Sequence, residues 1–167
     1  QPFNVVNRTG GSGVVGHSAI ATGTPDGYTI GMLTVEISMM HWQGLTDLAP
    51  KSYTPLALMN EDPPGIQVPS TSPYKTVKDV IAAAKASPGR IGYATSGQGS
   101  LQHLAGELLA QMAGEDLLHI PYKGGGQAIT DLIGGQVPVA VLGLAAVLPH
   151  ARSGRVRILA VTTKARS

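Results

Sequence analysis

The stretch Ile91–Leu104 reads Ile-Gly-Tyr-Ala-Thr-Ser-Gly-Gln-Gly-Ser-Leu-Gln-His-Leu. A short apolar run closes on a Ser/Gly turn, and an amphipathic pattern follows at once. Leu101, Leu104, Ala105, Leu108, Leu109 and Met112 recur at helical spacing, which predicts strand–turn–helix with Ser100 as the N-cap. Gly97 and Gly99 allow positive φ and close approach of a ligand to the backbone. A helix start leaves its first N–H groups unpaired at the positive end of the helix dipole, a setting that suits a carboxylate, phosphate or sulfate. The hydroxyls of Thr95, Ser96 and Ser100 add donors. Two readings stand side by side. The turn grips the anionic group of a small ligand, or it is Gly/Ser-rich because tight, capped turns use the same residues.

Downstream, Leu117–Ile120 reads as a strand and Pro121–Gly126 as a second Gly-rich turn. A helix through Ala128, Ile129, Leu132 and Ile133 is stopped by Gly134-Gly135. Val137–Leu142 is a strand with Pro138 at its start or on an edge, Leu144–Arg152 is a helix, and Val156–Val161 is a strand. Upstream, Ile66–Val68 is a short strand, and Thr76 with Asp79 opens a helix as a capping-box-like pair. This alternation predicts an α/β lobe built on a mostly parallel sheet with helices on both faces. Ligands of such sheets sit at the carboxyl ends of strands, where both Gly-rich turns fall.

The sharpest break in the chain is Asn60-Glu61-Asp62-Pro63-Pro64-Gly65, read as a lobe boundary. Before it, Phe3–Val6 is a short apolar run and Asn7–Gly13 a flexible turn. Val14–Ala21 has the spacing of a helix, while Tyr28–Leu33 and Pro55–Met59 read as strands. Ile37–Leu48 is ambiguous between helix and loop.

Composition narrows the chemistry. The 167 residues carry a net charge of +2, with basic residues scattered, and a single Phe and a single Trp leave little surface for stacking on bases. Nucleic acid is therefore not an expected partner. With no cysteine, thiolate catalysis and Cys-based metal sites are excluded. No apolar run reaches the ~18 residues of a membrane-spanning helix.

Catalytic constellations fare poorly. Gly11-Ser12-Gly13-Val14-Val15-Gly16 matches a dinucleotide fingerprint, with Glu36 placed where a ribose-binding acid would lie. It supports an alternative reading as a dinucleotide-dependent enzyme, although the strand before it would be very short. Neither Gly-rich turn has the Gly-Lys-Ser/Thr order of a phosphate loop, and Gly16-His17-Ser18-Ala19-Ile20 lacks the second glycine of a nucleophile elbow. The five histidines show no zinc spacing, so no metal is expected. His103, in the first turn after Ser100, is the histidine placed for a ligand role or for a supporting one, whereas His119 and His150 read as structural. Lys123 either brings positive charge to the second turn or faces solvent.

Taken in order, these motifs resemble those of the Bug-type extracytoplasmic solute receptors, the substrate-binding components of tripartite tricarboxylate transporters. Asn7-Arg8-Thr9-Gly10-Gly11-Ser12-Gly13 is similar to the family's Asn-Arg-Pro-Gly-Ala-Gly-Gly, and Pro25-Asp26-Gly27-Tyr28-Thr29 to its Pro-Asp-Gly-Tyr-Thr. Tyr93–Ser100 followed by His103-Leu104-Ala105-Gly106-Glu107, then His119–Gly124, Gly134-Gly135-Gln136-Val137 and Leu159–Thr162, complete the series. Thr9 and Gly11 depart from the family's Pro and Ala, which should loosen that turn.

The resemblance implies a type II periplasmic-binding-protein-like α/β fold of two three-layer lobes that close on a ligand in the cleft between them. Residues 1–63 would be a partial first lobe and 64–167 a near-complete second lobe, with the family's N-terminal strand and Gly-rich loop preceding Gln1. The protein would then be periplasmic, its signal peptide absent from this stretch, and would have neither catalysis nor cofactor. It would capture a small organic carboxylate and present it to the permease subunits of a transporter. Ser96, Gly97, Gly99 and Ser100 would hold the carboxylate, with Thr95, Gln98 and His103 beside them. Lys123 and Gly124 would contribute from the second turn, and Thr34 and Val35 from the first lobe. Gly143 sits where amino-acid-binding relatives of the fold often carry an acid, which favours a simple carboxylate over an amino acid; Glu36 could instead accept an amino or hydroxyl group. A sensory module reusing the same lobes is the third reading.

Overall fold

The structure, a computed structural model, describes residues 2–164. The chain divides into two compact units, Gln1–Met59 and Asn60–Ser167.

In the first unit, α1 spans Val14–Ala21, as its spacing predicts. His17 is buried on it, and Ile37 and Met40 are buried in the same unit. His17 Nε2 accepts the Thr34 N–H at 3.2 Å, and the Tyr53 hydroxyl donates to the His17 carbonyl at 3.0 Å. The ambiguous segment is a short 3-10 turn, Val35–Ser38, followed by further turns. The expected strands at Tyr28–Leu33 and Pro55–Met59 do not form, and Tyr28, Ile30, Met32, Leu56, Leu58 and Met59 are exposed. A strand needs neighbours for its N–H and C=O groups, and among the described residues this unit offers none.

The second unit is built from β1 (Pro64–Pro69), α2 (Val77–Ala86), β2 (Gly92–Thr95), α3 (Leu101–Ala113), β3 (Leu118–Pro121), α4 (Gly125–Ile133), β4 (Val139–Gly143), α5 (Leu144–Arg152) and β5 (Val156–Val161). The sheet order is β3-β2-β4-β1-β5. Pairing of β2 with β3 and with β4 is parallel, but β1 lies between β4 and β5 and runs against both. The sheet is thus mixed where a mostly parallel one was expected. β1 and β2 flank α2 as the strands of a parallel unit would, yet β1 runs against β4, which is parallel to β2, so alternation along the chain does not by itself set strand direction.

Side chains of successive strand residues point to opposite faces, and both faces are covered. Ala94, Ala140 and Leu142 pack with Ile129, Leu132 and Val147 of α4 and α5. Tyr93, Val139 and Val141 pack on the other side with Val80 of α2 and with Ala105 and Leu109 of α3. Helix α3 comes close because residue 106 is glycine: a Cβ there would collide with the buried Tyr93 ring. Helix α2 starts as its sequence dictates. Thr76 Oγ1 accepts the Asp79 N–H at 3.3 Å, and Asp79 Oδ2 accepts the Thr76 N–H at 2.8 Å.

Candidate functional site

The parallel strands β3, β2 and β4 end at one edge of the sheet. There β2 opens into the turn Ser96–Ser100, β3 into Tyr122–Gly124, and β4 directly into α5. Because β1 runs the other way, it begins at this same edge and brings Asp62 with it. The Tyr122 N–H donates to the Thr95 carbonyl at 3.1 Å, tying the first two exits together.

Within the Ser/Gly turn most polar groups hold one another. Thr95 Oγ1 accepts the Gly97 N–H at 3.3 Å and lies 2.7 Å from His119 Nε2. The Ser96 hydroxyl donates to Gln102 Oε1 at 3.0 Å. The Ser100 hydroxyl donates to the Gly97 carbonyl at 2.8 Å and accepts the His103 N–H at 3.2 Å, which makes it the N-cap of α3. The Gly99 N–H donates to His103 Nδ1 at 3.1 Å. Thr95 and Ser100 are buried, while Gln98 is exposed. The turn is a frame set by internal bonds rather than a ring of outward donors.

Behind it lies a cluster of titratable groups. The rings of His103 and His119 stack with centroids 3.8 Å apart. His103 Nε2 lies 3.6 Å from Glu107 Oε1, and that same oxygen accepts the Tyr93 hydroxyl. Burial, and then the neighbouring His103 ring, push the His119 pKa down, with Glu107 acting the other way. Burial and the bond to Glu107 hold the Tyr93 phenol well above its usual range.

At the second exit Lys123 is exposed, and Gly124 is the N-cap of α4 without a side-chain cap. Open space surrounds Gly124, Gly125 and Gly126. The Tyr122 hydroxyl donates to Asp131 Oδ2 at 2.7 Å, which pushes its pKa up to about 12. At the third exit Gly143 carries no acid of its own, but Asp62 supplies one. Its Oδ1 accepts the Ala145 N–H at 2.8 Å at the start of α5, in space that a Cβ on residue 143 would need. An acid thus stands at this strand end, supplied by Asp62 rather than by residue 143, and it is engaged by the Ala145 amide.

The structure thus gathers Thr95, Ser96, Gly97, Gln98, Gly99, Ser100, His103, Lys123, Gly124 and Gly143 at one sheet edge or directly behind it. Thr34 and Val35 belong to the other unit, where Thr34 binds His17 and Val35 is exposed. Asp62 and Gln102 join this end of the sheet without being singled out by the sequence, and His119, read as structural, stacks on His103 behind the turn. Their partners are distant in sequence or depend on how the turn closes, so spacing carries no signal for them. Two shallow grooves run along α4, one towards His150 and Arg155 and one beside Tyr122 and Asp131, and neither is lined by the Ser/Gly turn. Gly11–Gly16 lacks the preceding strand that a dinucleotide fingerprint uses: residues 3–10 form no strand, Phe3, Val5 and Val6 are exposed, and Glu36 lies in a 3-10 turn. Among the described residues no three His, Asp or Glu side chains converge as a metal site requires.

Comparison with known proteins places these features. Residues 1–167 match the sequence profile described as the tripartite tricarboxylate transporter family receptor. A UPF0065 protein of Bordetella bronchiseptica is 37% identical over 169 residues, covering 99% of this chain and 50% of the relative. Protein BugT of Bordetella pertussis is 37% identical over 179 residues, covering 100% of this chain and 52% of BugT. The chain spans about half the length of the curated relatives it matches. Among solved structures, R. palustris Rpa4515 with adipate superposes with a TM-score of 0.86 at 32% identity, over 98% of this chain and 56% of that one.

Proposed function

The chain belongs to the tripartite tricarboxylate transporter receptor family, and on that premise we propose that the whole protein is a periplasmic solute receptor that binds a small organic carboxylate and delivers it to a membrane permease. The observation that carries this reading is the meeting of three chain exits, at Ser96–Ser100, Tyr122–Gly124 and Gly143, on one edge of the sheet. Glycine-built backbone, the start of α3 and the Lys123 ammonium suit a carboxylate there. The related Rpa4515, solved with adipate, agrees with that ligand class.

The test is a thermal-shift screen of the full-length protein against mono- and dicarboxylates, amino acids and NAD(H). Stabilisation by carboxylates, weakened in Ser96→Ala and Lys123→Ala, supports the reading. Both side chains lie outside the buried core, so these variants should fold. Stabilisation by NAD(H) alone would end it.

A further inference from the structure

We propose that the His103–His119 pair positions the Ser/Gly turn and couples it to pH: when neutral it holds the Gly99 amide inward, and it takes up one proton from solvent as the turn takes a carboxylate. The inference rests on the receptor reading above and names a form of regulation for that site.

The geometry fixes the neutral state. Gly99 N–H donates to His103 Nδ1, so that nitrogen carries a lone pair and the ring proton sits on Nε2, facing Glu107. A second proton on Nδ1 would meet the Gly99 N–H, donor against donor. The peptide between Gln98 and Gly99 must then turn, and Gly99, at φ +74 and without a Cβ, allows the rotation at little cost. The amide comes away from the histidine towards the outer side of the turn.

The charge acts in the same direction as the amide. An imidazolium behind the turn attracts an anion in front of it, so protonation and carboxylate binding favour each other. The groups facing the pair permit one proton and discourage a second. Glu107 of α3 lies 3.6 Å from His103 Nε2 and favours a cation. The Tyr93 ring of β2 lies 5.1 Å from the His119 ring, centroid to centroid, and its hydroxyl donates a hydrogen bond to Glu107, while the Thr95 hydroxyl of β2 lies 2.7 Å from His119 Nε2. Rings 3.8 Å apart would repel if both were charged, and burial disfavours charge on His119.

Calorimetric titration of the full-length protein with four- to six-carbon dicarboxylates, adipate included, tests this at about pH 7.5 and pH 6.0 in two buffers of different ionisation heat. Carboxylates stay largely ionised there, and imidazole does not. The expected result is uptake of up to one proton, with binding about tenfold tighter at the lower pH. His103→Gln keeps an acceptor for Gly99 but cannot titrate, so it should bind like the wild type at the higher pH and lose the tightening. His103→Leu leaves the Gly99 amide without its acceptor and supplies no charge, so it should also lose the tightening at the lower pH. Binding without proton uptake, or tightening retained in His103→Gln, overturns the inference and leaves the receptor reading intact. Failure of every mono- and dicarboxylate of the thermal-shift screen to bind the wild type at either pH removes both. In the unliganded wild type the Gly99 amide resonance should follow the histidine titration, and a flat response would overturn the inference without any variant.

Discussion

Asp62 and Gly143 compete for one volume. The Asp62 carboxylate, bonded to the Ala145 N–H at 2.8 Å, fills the space in which a side chain on residue 143 would stand. A carboxylate at a helix start satisfies an orphan amide and the dipole together. Gly143→Ala should expel Asp62 from this place and cost about 1–3 kcal/mol, a cap lost and a close contact forced. Asp62→Asn, which keeps an acceptor, should cost well under half of that. Urea unfolding of both variants checks the order, and a Gly143→Ala protein as stable as wild type would refute it.

Gly106 offers a second test of close approach. Its Cα side faces the Tyr93 ring, which is 1% exposed and held at its hydroxyl by Glu107. The ring has nowhere to retreat, so Gly106→Ala should destabilise by about 1–3 kcal/mol, despite the better helix propensity of alanine. Tyr93→Phe should cost about 1 kcal/mol. Combining Gly106→Ala with Tyr93→Leu, which frees the volume, should recover part of the first loss; additive losses would show that the clash is not the cause.

What the sequence disclosed follows the range of the interactions. Helices α1, α2, α3 and α5 start or end where local signals put them, because Thr76 with Asp79, and Ser100 with His103, bond within one turn of chain. The edge of the sheet was legible too, since Gly-rich turns after apolar runs mark it. Pairing across distance was not. Tyr28–Leu33 and Pro55–Met59 have strand composition, but composition names no partner. The direction of β1, the arrival of Asp62 at Gly143 and the stacking of His103 on His119 each join residues from different elements. Arg157 shows the same limit: its guanidinium donates to the Ser70 and Tyr74 carbonyls, more than eighty positions away, and nothing around it in sequence announces that role.

The cap of α2 should behave as an independent local element. Thr76→Ala removes the acceptor for the Asp79 N–H and should cost about 1 kcal/mol. Thr76→Ser should restore most of it. Paired denaturation curves decide the matter, and equal losses in the two variants would mean that the hydroxyl is not what holds the helix start.

Stability should also fall on acidification through His17. Burial holds its pKa below the ordinary imidazole value of 6.5, with Glu36 partly opposing the shift. Its Nε2 accepts the Thr34 N–H, so the folded state keeps the ring neutral while the unfolded chain takes a proton freely. Between the folded and unfolded pKa values the unfolded state binds more protons, so stability rises with pH there. It is complete above the unfolded value and is lost as pH falls below about 6.5 towards the folded one. His119, whose pKa is lowered as well, contributes in the same sense, so the wild-type curve alone cannot isolate His17. His17→Gln can, because it keeps an acceptor for Thr34 and does not titrate. Its melting temperature should fall less than that of the wild type between about pH 7.5 and pH 5.5, and an equal fall would remove His17 as a source of the acid sensitivity.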